Sequence, residues 1–220
     1  MIFYARSKKL YFFFVGGCYK HTFYGIESYR CMEMTPSLAC ANKCVFCWRH
    51  HSNPVGTEWK WKMDEPEFLI QEATSKHVEM IKSLKGVPGV KEERFADAFQ
   101  IRHCALSLVG EPIIYPEINK FVDLLHKKNI STFLVTNAQF PDKIANLTPV
   151  TQLYISVDAA TKDSLKKIDR FLHMNFFVVH AQNFYTTIFF SKGQSSLISG
   201  RDFSAALTSL PRRDRGQYLG

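Results

Sequence analysis

From Cys104 onward the chain alternates between short apolar runs and segments whose apolar residues recur every three or four positions, the pattern of repeated β/α units. "CALSLV" (Cys104 to Val109) predicts a buried strand. "PEINKFVDLLHKK" after it sets Ile118, Phe121, Val122 and Leu125 on one helical face, with Pro116 suited to a first turn. "TFLV" (Thr132 to Val135) predicts the next strand, Pro141 to Leu147 a short helix, and "LYISV" (Leu153 to Val157) a further strand. Upstream, Pro66 to Leu84 predicts an amphipathic helix with Ile70, Ala73, Met80, Ile81 and Leu84 inward, and "YRCMEMT" reads as the first strand. The expected class is α/β, with helices connecting parallel strands.

Each predicted strand runs into polar chemistry. Cys40, Cys44 and Cys47 follow the first, Gly110, Glu111 and Pro112 the second, Thr136 and Asn137 the third, and Asp158 the fourth. Taken singly, each group has a structural explanation: Gly-Glu-Pro as a turn, Thr-Asn as a loop start, Asp as a helix cap. Parallel β/α repeats gather their sites at the carboxyl ends of the strands, so together the four groups predict one mouth.

Composition narrows the class further. A chain of 220 residues, 46% hydrophobic and 22% charged, has enough apolar sequence for one sizeable core. The formal net charge of +8 favours acidic partners such as RNA. "RSKKLYFFFVGG" imitates a signal peptide, but the apolar run Leu10 to Val15 is too short for one. The aromatic segment Phe171 to Phe190 is broken by His173, Asn175, His180, Gln182 and Asn183, so no membrane span is expected and the predicted location is cytoplasmic. Three of the six cysteines fall in one short loop, which reads as a metal site in a reducing compartment and not as a disulfide framework.

That loop, "LACANKCVFCW", has the spacing C-x3-C-x2-C. Three thiolates leave a fourth coordination position open to another side chain or a ligand. A zinc ion completed by His50 or His51 satisfies the spacing, and so does a [4Fe-4S] cube in which three irons take one thiolate each and the fourth stays open. Nearby, "EWKWK" interleaves Trp59 and Trp61 with Lys60 and Lys62. Such a stretch suits stacking on an unstacked RNA base with lysines on phosphates, or a segment whose tryptophans pack inward.

These residues resemble the radical S-adenosylmethionine enzymes, whose motif is C-x3-C-x-aromatic-C; here it is Cys40, Cys44, Phe46 and Cys47. The resemblance implies a [4Fe-4S] cluster on Cys40, Cys44 and Cys47, with Phe46 near the adenine of S-adenosylmethionine. It also implies that "LVGEP", with Gly110 and Glu111, meets the methionine amino group, and that Asn137, Ser156 and Asp158 at the ends of "TNA" and "SVDA" meet the ribose and carboxylate. From Gly17 to Arg170 the sequence is similar, more narrowly, to the tRNA 4-demethylwyosine synthases of wybutosine biosynthesis. That likeness implies a lyase acting on tRNA-Phe that carries N1-methylguanosine at position 37. A 5′-deoxyadenosyl radical would take hydrogen from the N1-methyl group, and pyruvate would add to the carbon radical and close a third ring; no side-chain base could deprotonate such a methyl group. It further implies a second iron–sulfur cluster with Cys18 and Cys31 among its ligands, and Lys20 as a Schiff-base nucleophile for pyruvate. A lysine beside a cationic centre is expected to have a lowered pKa.

The sequence departs from that family in three places. Ala5 stands where the second cluster's third ligand is expected, so that cluster is expected to be incomplete. Residues 1–16 diverge from the family's basic segment, and residues 171–220, rich in Ser, Arg and Gly towards their end, align with nothing in it and read as an unrelated, disordered tail joined by alternative splicing or a frame change. The expectation is a partial (β/α) barrel of residues 17–170, truncated after about four strands, with impaired activity and an external electron donor in place of the flavodoxin-like domain of eukaryotic members. The alternative function is a non-catalytic tRNA-binding module holding zinc or a cluster.

Overall fold

The computed structural model describes residues 17–47, 49, 52–137, 139–156, 158, 162–170, 189–191 and 194–196. The expectations for residues 1–16, for His50, His51 and Val157, and for most of 171–220 lie outside them. The chain divides into two units, Met1–Leu172 and His173–Gly220. In the second, strands Phe189–Ser191 and Gln194–Ser196 pair antiparallel.

The first unit is built on a sheet of four parallel strands in the order β1 (Cys31–Met34), β2 (His103–Leu106), β3 (Ser131–Thr136) and β4 (Gln152–Ile155). Each strand is short, and its side chains alternate between two faces. Met32 and Met34, Cys104 and Leu106, and Leu134 turn to one face and form the main core with the helices. Cys31, Ala105 and Phe133 turn to the other, with Val135 and Tyr154 packed on them. The register aligns Glu33 with Ala105 and Ala105 with Phe133, so these three form one row across the sheet.

The connecting helices follow from the apolar spacing. α2 (Pro66–Lys82) starts with a proline in its first turn and buries Leu69, Ile70, Ala73, His77 and Ile81. Leu69 and His77 hold the inner face there, while Met80 is only half-buried and the helix stops before Leu84. The His77 ring is fully buried, with Nε2 lying 2.9 Å from the Ala98 carbonyl oxygen. α4 (Ile118–Lys127) buries Ile118, Phe121, Val122 and Leu125, the face its spacing predicts, and begins two residues after Pro116. α5 spans Pro141–Ala145. Three short helices have no counterpart in the apolar pattern: α1 (Tyr19–Tyr24), α3 (Glu92–Asp97) and α6 (Lys162–Asp169). Among the described residues no helix is long and apolar enough to cross a membrane.

All four strands run in one direction, so their carboxyl ends share one edge. The loops leaving that edge carry the polar groups singled out in the sequence.

Candidate active site at the strand ends

The cysteine loop leaves β1 and is held by backbone pairing on two sides. Cys40 N–H donates to the Pro54 carbonyl, and Gly56 N–H donates back to the Cys40 carbonyl. At the other side, Lys43 and Val45 donate their N–H groups to the carbonyls of Asp169 and Ile168, so the end of α6 pins the loop. Arg49 closes it from within, its guanidinium donating to the carbonyls of Leu38, Asn42 and Pro54 at 2.7 to 3.1 Å.

Next to this loop, Gly110 has φ +79°, and a Cβ there would run into the Ser37 carbonyl oxygen and stand 2.9 Å from the Leu38 backbone. A glycine is what lets the two loops touch. Glu111 then donates its N–H to the Ala39 carbonyl at 2.8 Å and turns its side chain inward, where it is buried. Glu111 Oε2 accepts the Asn137 backbone N–H at 2.8 Å, and the Asn137 side-chain amide donates to Cys40 Sγ at 3.4 Å. Glu111 Oε1 is buried and takes no well-formed hydrogen bond among the described residues, although the Thr136 hydroxyl and the Ile113 N–H lie near the carboxyl. Burial pushes the Glu111 carboxyl up to about 7, although these donors draw it down.

A second group forms on the other side of the loop. Ligand atoms of Cys44, Asp158 and Asp169 lie within 4.8 Å of one another. Burial pushes the Asp169 carboxyl up to about 6, helped by the charge of Asp158. The Cys44 thiol is pushed up by burial and then by Asp169, and burial carries the Cys40 thiol to about 11. Cys47 and Phe46 are exposed at the mouth, Phe46 to 61%. Ser156 donates its N–H to the Thr136 carbonyl at 2.8 Å, which keeps the β4 exit beside that of β3.

Beneath the mouth, α1 lies over the second face of the sheet. Lys20 on α1 is buried, its Nζ 2.6 Å from Glu33 Oε1 and 5.8 Å from the centre of the Phe133 ring. Burial draws the Lys20 pKa down, but the charges of Cys31 and Glu33 outweigh it and hold the ammonium above its ordinary range. The lowered pKa expected of this lysine is therefore not what its surroundings in this structure produce. Cys31 is buried on the same face of β1 as Glu33, and half-buried Cys18 caps α1, its Sγ accepting the Ser28 hydroxyl at 3.2 Å. Trp59 packs edge-on against Trp61 and Tyr115 and onto the margin of the main core, while Trp61 stays half-buried beside it.

Glu33, Arg49 and Asp169 carry contacts that the motifs and spacings above do not include. A glutamate inside a strand pattern gave a signal for Glu33, since a charge at a sheet position needs a partner. For Arg49 and Asp169 the partners are backbone groups and neighbours distant in sequence, which leave no local pattern.

The model of the Radical SAM superfamily matches residues 34–174. The chain is 74% identical over 161 residues to the human S-adenosyl-L-methionine-dependent tRNA 4-demethylwyosine synthase TYW1, covering 73% of this chain and 22% of that protein. It is 70% identical over 161 residues to the S-adenosyl-L-methionine-dependent tRNA 4-demethylwyosine synthase of Oryza sativa subsp. japonica, covering 73% and 25%. The solved structure of TYW1 with a lysine-pyruvate adduct bound superposes with a TM-score of 0.65 at 35% identity, over 76% of this chain and 56% of that one. The chain thus spans about a quarter or less of the length of these curated relatives.

Proposed function

The chain belongs to the radical S-adenosylmethionine superfamily, and we propose that it works as the cluster- and S-adenosylmethionine-binding part of a tRNA 4-demethylwyosine synthase, acting on N1-methylguanosine-37 of tRNA-Phe with pyruvate as the second substrate. Cys40, Cys44 and Cys47 hold a [4Fe-4S] cluster. Gly110, Glu111, Asn137, Ser156 and Asp158 hold S-adenosylmethionine, with Phe46 against its adenine. Lys20 carries pyruvate, with Cys18 and Cys31 beside it.

The observation that carries this reading is the orphaned oxygen of Glu111. A buried carboxylate with one oxygen committed to Asn137 and the other unpaired calls for a cationic donor, and the methionine ammonium of the cofactor is one. The side chain of the same asparagine reaches Cys40, so the groups assigned to cluster and cofactor are linked through one residue. The close approach at Gly110 brings the Gly110–Glu111 turn against the cysteine loop, as a site shared by the two ligands requires.

Bound together, cluster and cofactor supply the one-electron chemistry that removes a hydrogen atom from an N-methyl group, a step beyond any side-chain base. The chain's own residues do the rest. Glu111 and Asn137 orient the cofactor, Arg49 and the end of α6 keep the thiols in place, and buried Lys20 presents its nitrogen on the face of the sheet that carries Glu33 and Phe133. The net charge of +8 favours the approach of tRNA.

A deuterium experiment tests the substrate assignment. Methylated tRNA-Phe bearing a trideuterated N1-methyl group, given to the reconstituted chain with a chemical reductant, is expected to pass deuterium into 5′-deoxyadenosine. Release of unlabelled 5′-deoxyadenosine alone would remove this methyl group as the hydrogen donor.

A further inference from the structure

Glu33 has no role in the assignments made so far, yet it is ion-paired with Lys20. It lies on β1 two residues beyond Cys31, at the head of the row Glu33, Ala105, Phe133. Lys20 Nζ stands over both ends of that row, 2.6 Å from Glu33 Oε1 and 5.8 Å from the Phe133 ring centre. The side chains are 3% and 16% exposed, so the pair is largely out of water, where either charge alone would be costly. A hydrogen bond between charged groups in such a place fixes direction as well as distance.

We propose that Glu33 is the positioning residue for Lys20, its carboxylate serving as counter-ion to the lysine nitrogen before and after imine formation with the ketone of an α-keto acid. The inference rests on the assignment of Lys20 as the pyruvate-bearing lysine. The charge balance explains why a carboxylate suits this place. The ammonium hands one proton to the carboxylate beside it, which frees the nitrogen's lone pair to form the carbon–nitrogen bond; as the carbon–oxygen bond breaks, that proton and a second from the nitrogen leave with the oxygen as water, and the nitrogen ends as a protonated imine. The nitrogen is positive at both ends of the reaction, so a fixed anion within hydrogen-bond reach matches reactant and product alike. Ala105, the smallest side chain of the row, separates the carboxylate from the Phe133 ring. The aromatic face attracts the same positive charge from the other side.

The test is reductive trapping on the full chain with pyruvate and sodium cyanoborohydride, the adduct being located and its initial rate read by peptide mass mapping. In the parent chain it is expected on Lys20, and Lys20→Ala removes it from that peptide. Glu33→Gln keeps a hydrogen-bonding group without the charge, and trapping at Lys20 is expected to slow by about tenfold or more. Glu33→Asp, which restores the anion on a shorter stem, is expected to return the rate to within about threefold of the parent, a rescue that a purely structural role for the carboxylate does not require. No adduct on Lys20 in the parent overturns the reading beneath the inference and the inference with it. An adduct on Lys20 that forms in Glu33→Gln as fast as in the parent, or a Glu33→Asp chain no faster than Glu33→Gln, overturns the inference about Glu33 alone.

Discussion

Asn137, at the exit of β3, donates its backbone N–H to the buried carboxyl of Glu111, 26 residues earlier at the exit of β2, across 2.8 Å. Two neighbouring strands thereby set one carboxylate oxygen and leave the other, Oε1, without a partner among the described residues. The unpaired oxygen has a cost in the absence of a cation and a use in its presence.

Glu111 is held near 7, above the ordinary carboxylate range, because burial disfavours its charge. For an acid raised in this way the folded chain keeps its proton where the unfolded chain loses it. The contribution to stability is therefore best below the unfolded pKa and is lost as pH rises towards 7, by about 3 kcal/mol in all. Thermal melts of the chain without S-adenosylmethionine are expected to fall between pH 5 and pH 8 more steeply than those of Glu111→Gln. Parallel pH profiles would show that the carboxyl ionises freely.

The same substitution should harm the cofactor site while it relieves the fold. Glu111→Gln removes the charge from a hydrogen bond to an ammonium, an interaction worth about 1.5–3 kcal/mol. Titration calorimetry of the reconstituted chain with S-adenosylmethionine is expected to show binding weakened by about tenfold or more. Unchanged affinity would place the methionine ammonium elsewhere.

Two glycines at nearly equal positive φ separate strain from crowding. At Gly110 (φ +79°) an added Cβ meets the Ser37 and Leu38 backbone, whereas at Gly86 (φ +76°) it meets nothing within 4 Å among the described residues. Gly86→Ala is expected to cost about 1 kcal/mol from backbone strain alone, and Gly110→Ala at least about 2 kcal/mol more because backbone atoms must move apart. Urea denaturation of the two variants decides this, and equal losses would mean that the cysteine loop yields easily.

Arg49 offers a different kind of test, since it touches no proposed ligand of the cofactor and holds the loop through three carbonyls. Arg49→Lys keeps the charge and loses the planar fork that reaches several acceptors at once. Reconstituted Arg49→Lys is expected to lose iron on gel filtration several times faster than the parent, with all three cysteines intact. Equal retention would show that the pairing with Pro54 and with α6 suffices.

The sheet was legible in the sequence because its strands are short apolar runs and its larger helices carry long apolar spacings, as in Phe121, Val122 and Leu125 of α4. The gathering of Cys40, Glu111 and Asn137 was legible too, since parallel strands carry whatever follows them to a common edge. What escaped were the elements with no periodic face to show. α1 and α6 are short, and the fastening of the cysteine loop to Ile168 and Asp169 consists of backbone hydrogen bonds that any residue can make. The state of Lys20 escaped for another reason: the expectation considered a cationic neighbour, whereas α1 sets the lysine against Glu33 of β1.

The central claim is that Cys40, Cys44 and Cys47 hold an iron–sulfur cluster beside a cofactor site completed by Glu111 and Asn137. Anaerobic reconstitution of the full chain with iron, sulfide and zinc in competition, followed by metal analysis, tests it most directly. The expected result is about four irons per chain, visible absorption that is lost when any of the three cysteines becomes Ala, and slow release of 5′-deoxyadenosine from S-adenosylmethionine with a chemical reductant. Stoichiometric zinc without iron, or four irons retained after all three cysteines are replaced, would contradict it.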